Sequence, residues 1–186
     1  EFDVTSLTIN GERRAFSYYV PQTFVSKPLS SNPAIVFVLH GSRGTGSDIR
    51  NKTAYEFDRL ADSEGFVVVY PDGYEKHWND CRMSALYAAN TENIDDPLFF
   101  DQMFEYFIKN YAVDAQRIFV TGYSNGGHMG FRLAFEMPEK VAAIAAMAAN
   151  LPIDENLDCE KKNKPVSVAI FNGTEDPVNP YAGGLV

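Results

Sequence analysis

The residue with the clearest chemical potential is a serine set between glycines. Residues 122–126 read Gly-Tyr-Ser-Asn-Gly, which is the pattern Gly-x-Ser-x-Gly. A serine hydroxyl is a weak nucleophile, so it must be held on a sharp, exposed turn where a base can reach it. The small flanking residues let a strand and a helix approach closely at such a turn. We therefore predict that Ser124 is a nucleophile for acyl transfer.

A second glycine-rich segment could stabilise the charge that this reaction creates. Attack on a carbonyl carbon places negative charge on the oxygen, which backbone N–H groups must then hold. One such group is expected from Asn125, the residue after the nucleophile. Another is expected from the segment that begins His-Gly-Ser at His40. There Ser42 ranks first as the donor and Gly41 second.

A third segment, Asn-Gly-Thr-Glu-Asp-Pro-Val, carries the candidate acid. Asp176 is predicted to orient a catalytic imidazole and to stabilise its protonated form, while Glu175 is expected to face solvent. Among the histidines, we expect His40 to pack and hydrogen-bond within its own loop. His128 is expected to be a structural or surface residue, and His77 could touch substrate or nothing. No His, Cys or Asp cluster has metal-ligand spacing, so neither a metal nor an organic cofactor is expected.

The elements that must position these groups alternate between apolar runs and amphipathic segments. This order predicts a parallel sheet covered by helices on both faces, with its chemistry at the carboxyl ends of the strands. The dipeptide Asn10-Gly11 predicts a hairpin between the first two strands. The predicted strands are 4–9, 16–20, 34–39, 66–70, 117–121, 141–147 and 166–171.

A long amphipathic segment, 96–111, predicts a helix whose wide aromatic and aliphatic face belongs to the core. Asp96 followed by Pro97 suits an N-cap and a first helical position. A further helix, marked by Met129 and Leu133, should follow the serine.

Length and composition set limits on the function. The 186 residues are 45% hydrophobic, as expected for one globular domain over 1–186, and the net charge is −9. An acidic surface disfavours nucleic acid and anionic membranes as partners, and no apolar run is long enough to span a bilayer. Neutral or weakly charged substrates fit better. Cys81 and Cys159 could form one disulfide or remain two thiols. The oligomeric state is not readable from the sequence.

With these motifs placed, the chain resembles the polyhydroxybutyrate depolymerase and feruloyl or acetylxylan esterase group of α/β-hydrolases. The resemblance is carried by the segments VLHGSRGTG, FVVVYPDG followed by WNDCR, IDD, RIFVTGYSNGGHM and FNGTEDPVNPYAGG. It implies a three-layer α/β-hydrolase fold with a mostly parallel central sheet and helices on both faces. It also implies a serine carboxylesterase that acts on feruloyl, acetyl or hydroxyalkanoate esters.

The resemblance assigns roles to residues of this chain. Ser124 would be the nucleophile, Asp176 the acid of the triad, and the loop after His40 the oxyanion site. Trp78 and Asn79 match a segment near the mouth of the active site and are expected to bind substrate, together with Tyr123. Members of this group are commonly exported, so we expect a secreted or periplasmic protein.

The chain departs from the group at one point. The triad of this fold runs serine, acid and then histidine, yet no histidine follows Asp176. We expect the base to lie beyond Val186, in a domain that is C-terminally incomplete here and lacks its last strand. The alternatives are a non-catalytic hydrolase-like binding protein, or a peptidase or thioesterase on the same fold.

Overall fold

The computed structural model describes residues 1–22 and 32–184. These residues form a seven-stranded sheet with helices packed against it. The strands are β1 (Phe2–Ile9), β2 (Glu12–Tyr19), β3 (Ala34–Leu39), β4 (Phe66–Pro71), β5 (Ile118–Tyr123), β6 (Val141–Met147) and β7 (Ser167–Phe171). The helices are α1 (Gly46–Lys52), α2 (Glu56–Glu64), α3 (Ala88–Thr91), α4 (Asp96–Tyr111) and α5 (Asn125–Glu136), with a 3₁₀ turn at Asp154–Asn156.

The sheet is mostly parallel, as the sequence predicted. Its strand order is β1-β2-β4-β3-β5-β6-β7. β1 and β2 form an antiparallel hairpin, and β2 also runs antiparallel to β4. All pairs from β4 to β7 are parallel. The loops that follow β3, β5, β6 and β7 therefore open at one edge of the sheet, where the candidate site residues lie.

Side chains that alternate along β3 enter two separate hydrophobic clusters, because successive residues of a strand point to opposite faces. Phe37 and Leu39 pack with α4 and α5, whereas Val38 packs with Ile49 of α1 and Ala61 of α2. Helices therefore cover both faces of the sheet, which confirms the predicted three-layer arrangement.

The aromatic face of α4 lies in the core, as predicted. Its residues Phe99, Phe100, Met103, Phe104 and Phe107 are at most 1% exposed. The Phe104 ring meets Phe37 of β3 edge-on, with centroids 5.1 Å apart. This packing holds α4 against the face of the sheet that carries Phe37.

The hairpin turn is confirmed, but several predicted strand boundaries and one predicted helix cap differ. Asn10 and Gly11 both have positive φ, at 50° and 88°, as a tight hairpin turn requires. β2 begins earlier than predicted, at Glu12, because its ladder with β1 starts at the pair Ile9 and Glu12, directly after the turn. The predicted N-cap of α4 is wrong by one residue: Asp95 caps the helix by accepting from the Leu98 N–H at 3.0 Å.

The last strand in sequence, β7, is exposed along its whole length. Val168, Ile170 and Phe171 are 47%, 52% and 61% exposed. Among the described helices, none combines the length and the apolar character that a membrane span requires.

Candidate active site

Ser124 lies on a sharp turn between β5 and α5, which we call the elbow and define as residues 122–126. Its φ of 53° and ψ of −120° fall outside the regions that a non-glycine residue prefers. Its N–H donates to the Met147 carbonyl at 2.8 Å, which holds the turn against β6. The side chain is half-buried rather than enclosed. The strained strand-to-helix turn predicted from the sequence is therefore present.

The glycines of the elbow are required by close approach of the backbone. A Cβ on Gly122 would overlap the Gly126 carbonyl group and lie 2.8 Å from the Gly127 nitrogen. A Cβ on Gly126 would lie 2.5 Å from the His40 carbonyl oxygen. The elbow is thus pressed directly against the loop that follows β3.

That loop, residues 40–44, is called the oxyanion loop below. A Cβ placed on Gly41 would lie 3.4 Å from the Ser124 Cβ, so the loop borders the nucleophile. Asn125 is the first residue of α5, and N–H groups in a first helical turn have no acceptor within the helix. The structure therefore brings both predicted sources of oxyanion donors beside Ser124. The Ser42 side chain points elsewhere, since its hydroxyl donates to the Tyr87 hydroxyl at 2.9 Å.

His40 packs and hydrogen-bonds within this loop, as predicted. Its Nε2 accepts from the Gly73 N–H at 2.9 Å, so the proton is on Nδ1, which donates to the Gly41 carbonyl at 2.8 Å. Burial lowers the pKa of His40, and the neutral ring suits both bonds. His40 therefore supports the oxyanion loop and does not face the serine hydroxyl.

The other two histidines are also engaged away from the hydroxyl. His128 is 3% exposed, and its Nδ1 lies 3.1 Å from the Ser124 carbonyl oxygen. His77 stacks on Tyr87 with ring centroids 4.3 Å apart. Within residues 1–22 and 32–184, no imidazole hydrogen-bonds to the Ser124 hydroxyl.

The prediction that Trp78 and Asn79 bind substrate is wrong for this structure. The Trp78 side chain is fully buried, and its Nε1–H donates to the His40 carbonyl at 3.0 Å. Asn79 is 2% exposed, and its amide side chain donates to the Ile94 carbonyl at 2.8 Å. Both side chains are enclosed by neighbouring segments, so neither presents a surface to a ligand. Tyr123, the residue before the nucleophile, is 49% exposed, and its role in substrate binding stays a prediction.

No local pattern predicted that the Asn125 side chain would anchor the elbow. Its Oδ1 accepts from the Trp78 N–H at 2.8 Å, and its Nδ2 donates to the Trp78 carbonyl at 3.0 Å. The same Nδ2 donates to Asp80 Oδ2 at 2.6 Å. Asp80 in turn pairs with Arg82 at 2.8 Å. Asn125 therefore ties the nucleophile turn to residues 78–82.

A buried ion pair between Arg14 and Asp96 also holds residues 78–82 in place. Arg14 donates to Asp96 Oδ1 at 2.5 Å, and the Asn79 N–H donates to the other carboxylate oxygen at 2.7 Å. Arg132 of α5 donates to the Asn79 carbonyl at 2.8 Å. The sequence interpretation of Asp96 as a helix cap missed this role. The two adjacent aspartates in the sequence were the available signal, because only one of them can cap the helix.

Cys81 and Cys159 form a disulfide, with their Cα atoms 5.2 Å apart. Of the two alternatives that the sequence left open, the structure shows the disulfide. Two backbone bonds join the same loops: Asp158 N–H donates to the Cys81 carbonyl, and Met83 N–H donates to the Asn156 carbonyl, both at 3.1 Å.

Asp176 lies in the loop after β7, residues 172–179, which we call the acid loop. One carboxylate oxygen accepts from the Asn179 N–H at 2.9 Å and from the Val178 N–H at 2.8 Å. These donors lower the pKa of Asp176, so it is ionised at neutral pH. Glu175 is exposed, as predicted.

A cavity of about 370 Å³ lies between the loop after β6 and His128 of α5. Its lining includes Arg82, His128, Leu151 and Asn156. The lining includes none of the elbow residues 122–126, and His128, two residues further along α5, is the lining residue nearest to them in sequence. Within the described residues, no three His, Cys, Asp or Glu side chains are grouped so that they could hold a metal ion.

The sheet order, the elbow and the loops at the carboxyl ends of the strands define an α/β-hydrolase fold. A solved structure of a thermostable esterase superimposes with a TM-score of 0.72 at 20% identity, over 98% of this chain and 49% of that one. The family model of the dienelactone hydrolase family matches residues 22–183, so the chain belongs to this family.

Two curated relatives are esterases. Acetylxylan esterase A of Emericella nidulans is 32% identical over 150 residues, which are 78% of this chain and 45% of that protein. Feruloyl esterase D of Neurospora crassa is 27% identical over 186 residues, or 95% of this chain and 58% of the relative. The chain thus spans about half the length of these relatives. They confirm the predicted resemblance to feruloyl and acetylxylan esterases.

Proposed function

We propose that this protein is a serine carboxylesterase that forms an acyl-enzyme on Ser124. The observation that carries the proposal is the strained elbow, which holds Ser124 against the oxyanion loop next to the free first turn of α5. A positive φ at a non-glycine residue costs energy and persists where the surrounding structure imposes it, often at functional sites. Here the close contacts of Gly122 and Gly126 impose it.

The mechanism is acyl transfer in two steps. The Ser124 hydroxyl attacks the ester carbonyl carbon and loses its proton to an imidazole, which then protonates the departing alkoxide. The N–H groups of Asn125 and Ser42, with Gly41 as the other candidate, hold the oxyanion. Water then attacks the acyl-enzyme with the same imidazole as base, and the acid leaves.

Asp176 orients this imidazole in the proposed triad. All three histidines of the sequence are engaged elsewhere, so we assign the base to a histidine outside residues 1–186. The short bonds from Val178 and Asn179 keep the Asp176 carboxylate ionised, as stabilisation of an imidazolium requires.

The relatives, a feruloyl esterase and an acetylxylan esterase, support feruloyl and acetyl esters as substrates, with hydroxyalkanoate esters as a further candidate class. The cavity next to His128 offers both apolar lining, at Leu151, and polar lining, at Asn156. The half-exposed ring of Tyr123, the residue before the serine, offers a further apolar contact. The disulfide supports an oxidising, exported environment.

The substrate class is tested by hydrolysis in the natural protein that carries these residues. We expect hydrolysis of feruloyl, acetyl or 3-hydroxybutyrate esters, no cleavage of peptide substrates, and loss of about 10⁴-fold or more in Ser124→Ala. Ser63→Ala is the matched control, because Ser63 is an exposed serine on α2. Peptide cleavage would favour a peptidase on the same fold. Equal rates in Ser124→Ala and the wild type would contradict the proposal.

A further inference from the structure

The direction of each candidate oxyanion donor is set by the carbonyl of the preceding residue. In a trans peptide unit the N–H points opposite to the C=O. The Gly41 N–H therefore depends on the His40 carbonyl, the Ser42 N–H on the Gly41 carbonyl, and the Asn125 N–H on the Ser124 carbonyl. No described peptide bond is cis. Any group that fixes one of these carbonyls also aims the corresponding amide.

Trp78 holds the peptide unit between residues 40 and 41 directly, and the unit between residues 41 and 42 through the His40 ring. Its indole N–H donates to the His40 carbonyl at 3.0 Å. Its ring also packs on the His40 imidazole, with centroids 4.9 Å apart, while Phe100 contacts it at 5.6 Å. That imidazole donates to the Gly41 carbonyl at 2.8 Å. The fully buried indole thus restrains the N–H groups of Gly41 and Ser42, the two candidate donors of the oxyanion loop.

His128 holds the peptide unit on the other side of the site. The Ser124 carbonyl accepts the helical bond from the His128 N–H at 3.0 Å and a second bond from Nδ1 at 3.1 Å. The first bond alone suffices to start α5. The second comes from a ring that is 3% exposed and has little freedom to move.

The two supports are connected through Asn125. Its carboxamide pairs with both backbone polar groups of Trp78, while its own N–H is the oxyanion donor of the elbow. A shift of Trp78 would therefore move the donors on both sides of the oxyanion site, in the oxyanion loop and at Asn125.

We propose that Trp78 and His128 are positioning residues that aim the backbone amides of the oxyanion site through the His40 and Ser124 carbonyls. This inference rests on the proposed function. Trp78 is fully buried and His128 is 3% exposed at the wall of the cavity, so both act through the carbonyls that they hold. Each supplies an N–H to a carbonyl whose peptide unit carries, on its other side, a donor for the oxyanion.

The test compares variants that lose the side-chain N–H with one that keeps a donor. Trp78→Phe and His128→Leu remove it, whereas His128→Asn places an amide N–H near the position of Nδ1. We expect kcat to fall about tenfold in the first two, with KM within about twofold, because a misaimed donor loses part of its 10²–10³-fold effect. His128→Asn should recover most of kcat. Met129→Leu, at the neighbouring buried position on α5, should match the wild type.

Unchanged kcat in folded Trp78→Phe and His128→Leu would overturn the inference, provided that the wild type hydrolyses esters through Ser124. Absence of Ser124-dependent hydrolysis in the wild type would instead overturn the proposed function. A second measurement needs no variant: long-range ¹H–¹⁵N spectra of the wild-type imidazoles should show the neutral Nδ1–H tautomer for His40 and His128. An Nε2–H tautomer at His128 would contradict the inference even if every variant failed to fold.

Discussion

The nucleophile side and the acid side of the site are built differently. At the elbow and the oxyanion loop, buried side chains hold the backbone: His40 and Asn125 are each 1% exposed. In the acid loop, the Asp176 carboxylate is held by two N–H groups of its own turn. The loop itself is joined to the loop after β6, where Asn172 accepts from the Ala149 N–H at 3.1 Å. Buried side chains from distant segments therefore hold the nucleophile, whereas the acid side chain is held by its own turn.

This difference separates stability from chemistry. Changes around the elbow should lower the free energy of unfolding strongly, because they disturb buried packing and buried hydrogen bonds. Changes at Asp176 should affect activity and leave stability nearly unchanged, because its partners are two N–H groups of its own turn. The following predictions run from the largest expected change in unfolding free energy to the smallest.

Loss of the disulfide should have the largest effect. Cys81 and Cys159 are 78 residues apart, and in the chain-entropy model a crosslink over such a loop stabilises by about 4.5 kcal/mol. Urea unfolding of the Cys81→Ser/Cys159→Ser double variant, compared with the oxidised wild type, measures this difference. A change below about 1 kcal/mol would show that the two loops are held by their other contacts alone.

Gly126→Ala should destabilise by about 3 kcal/mol, the upper end of the range for overpacking a closed site. The added methyl would lie 2.5 Å from the His40 carbonyl oxygen, and neither backbone can move freely. Gly173→Ala is the matched control in the acid loop, where the nearest atoms would be 4.0 Å away. Equal unfolding midpoints for the two variants in urea would contradict the proposed difference between the regions.

Acid should weaken the nucleophile side through His128. Burial lowers its pKa to about 4, with the Arg82 charge acting in the same direction and Asp80 opposing it. In the unfolded chain His128 has a pKa near 6.5, so it is protonated there before it is protonated in the folded protein. The free energy of unfolding therefore falls as the pH drops from about 6.5 to about 4. The total loss should approach about 3 kcal/mol.

The measurement is the free energy of unfolding across this pH range for the wild type and His128→Asn. The variant should lack the part of the loss that His128 causes, since asparagine does not titrate. Parallel curves for the two proteins would contradict this assignment of the pH dependence.

Asp176→Asn should change the unfolding free energy by less than about 1 kcal/mol, because asparagine can still accept from the two N–H groups of the turn. Its kcat should nevertheless fall by about 10³-fold or more, since an amide cannot stabilise an imidazolium. Glu175→Gln, at the neighbouring exposed position, is the control and should alter neither quantity. A large loss of stability in Asp176→Asn would show that the Asp176 carboxylate stabilises the fold beyond its own turn.

The sequence predicted those parts of the fold that depend on local patterns. The unbroken apolar run Ala34–Leu39 is a strand with the predicted bounds, and the Gly-x-Ser-x-Gly segment forms the predicted turn. Asn10-Gly11 likewise forms the hairpin, because its backbone requirement lies in two adjacent residues.

The errors concern contacts between distant segments. Trp78 was expected at the site mouth, but its burial depends on His40 and Phe100, which no local pattern connects to it. Asp96 was expected to cap its helix, yet its partner Arg14 lies 82 residues away. The role of the Asn125 carboxamide was missed for the same reason, since its partners lie 45 and 47 residues earlier.

Labelling of the natural protein with a fluorophosphonate, followed by peptide mass mapping, tests the central claim most directly. The account predicts a single phosphonyl adduct at Ser124 that is absent from Ser124→Ala. An adduct at another serine, or ester hydrolysis by a protein whose Ser124 stays unmodified, would contradict it.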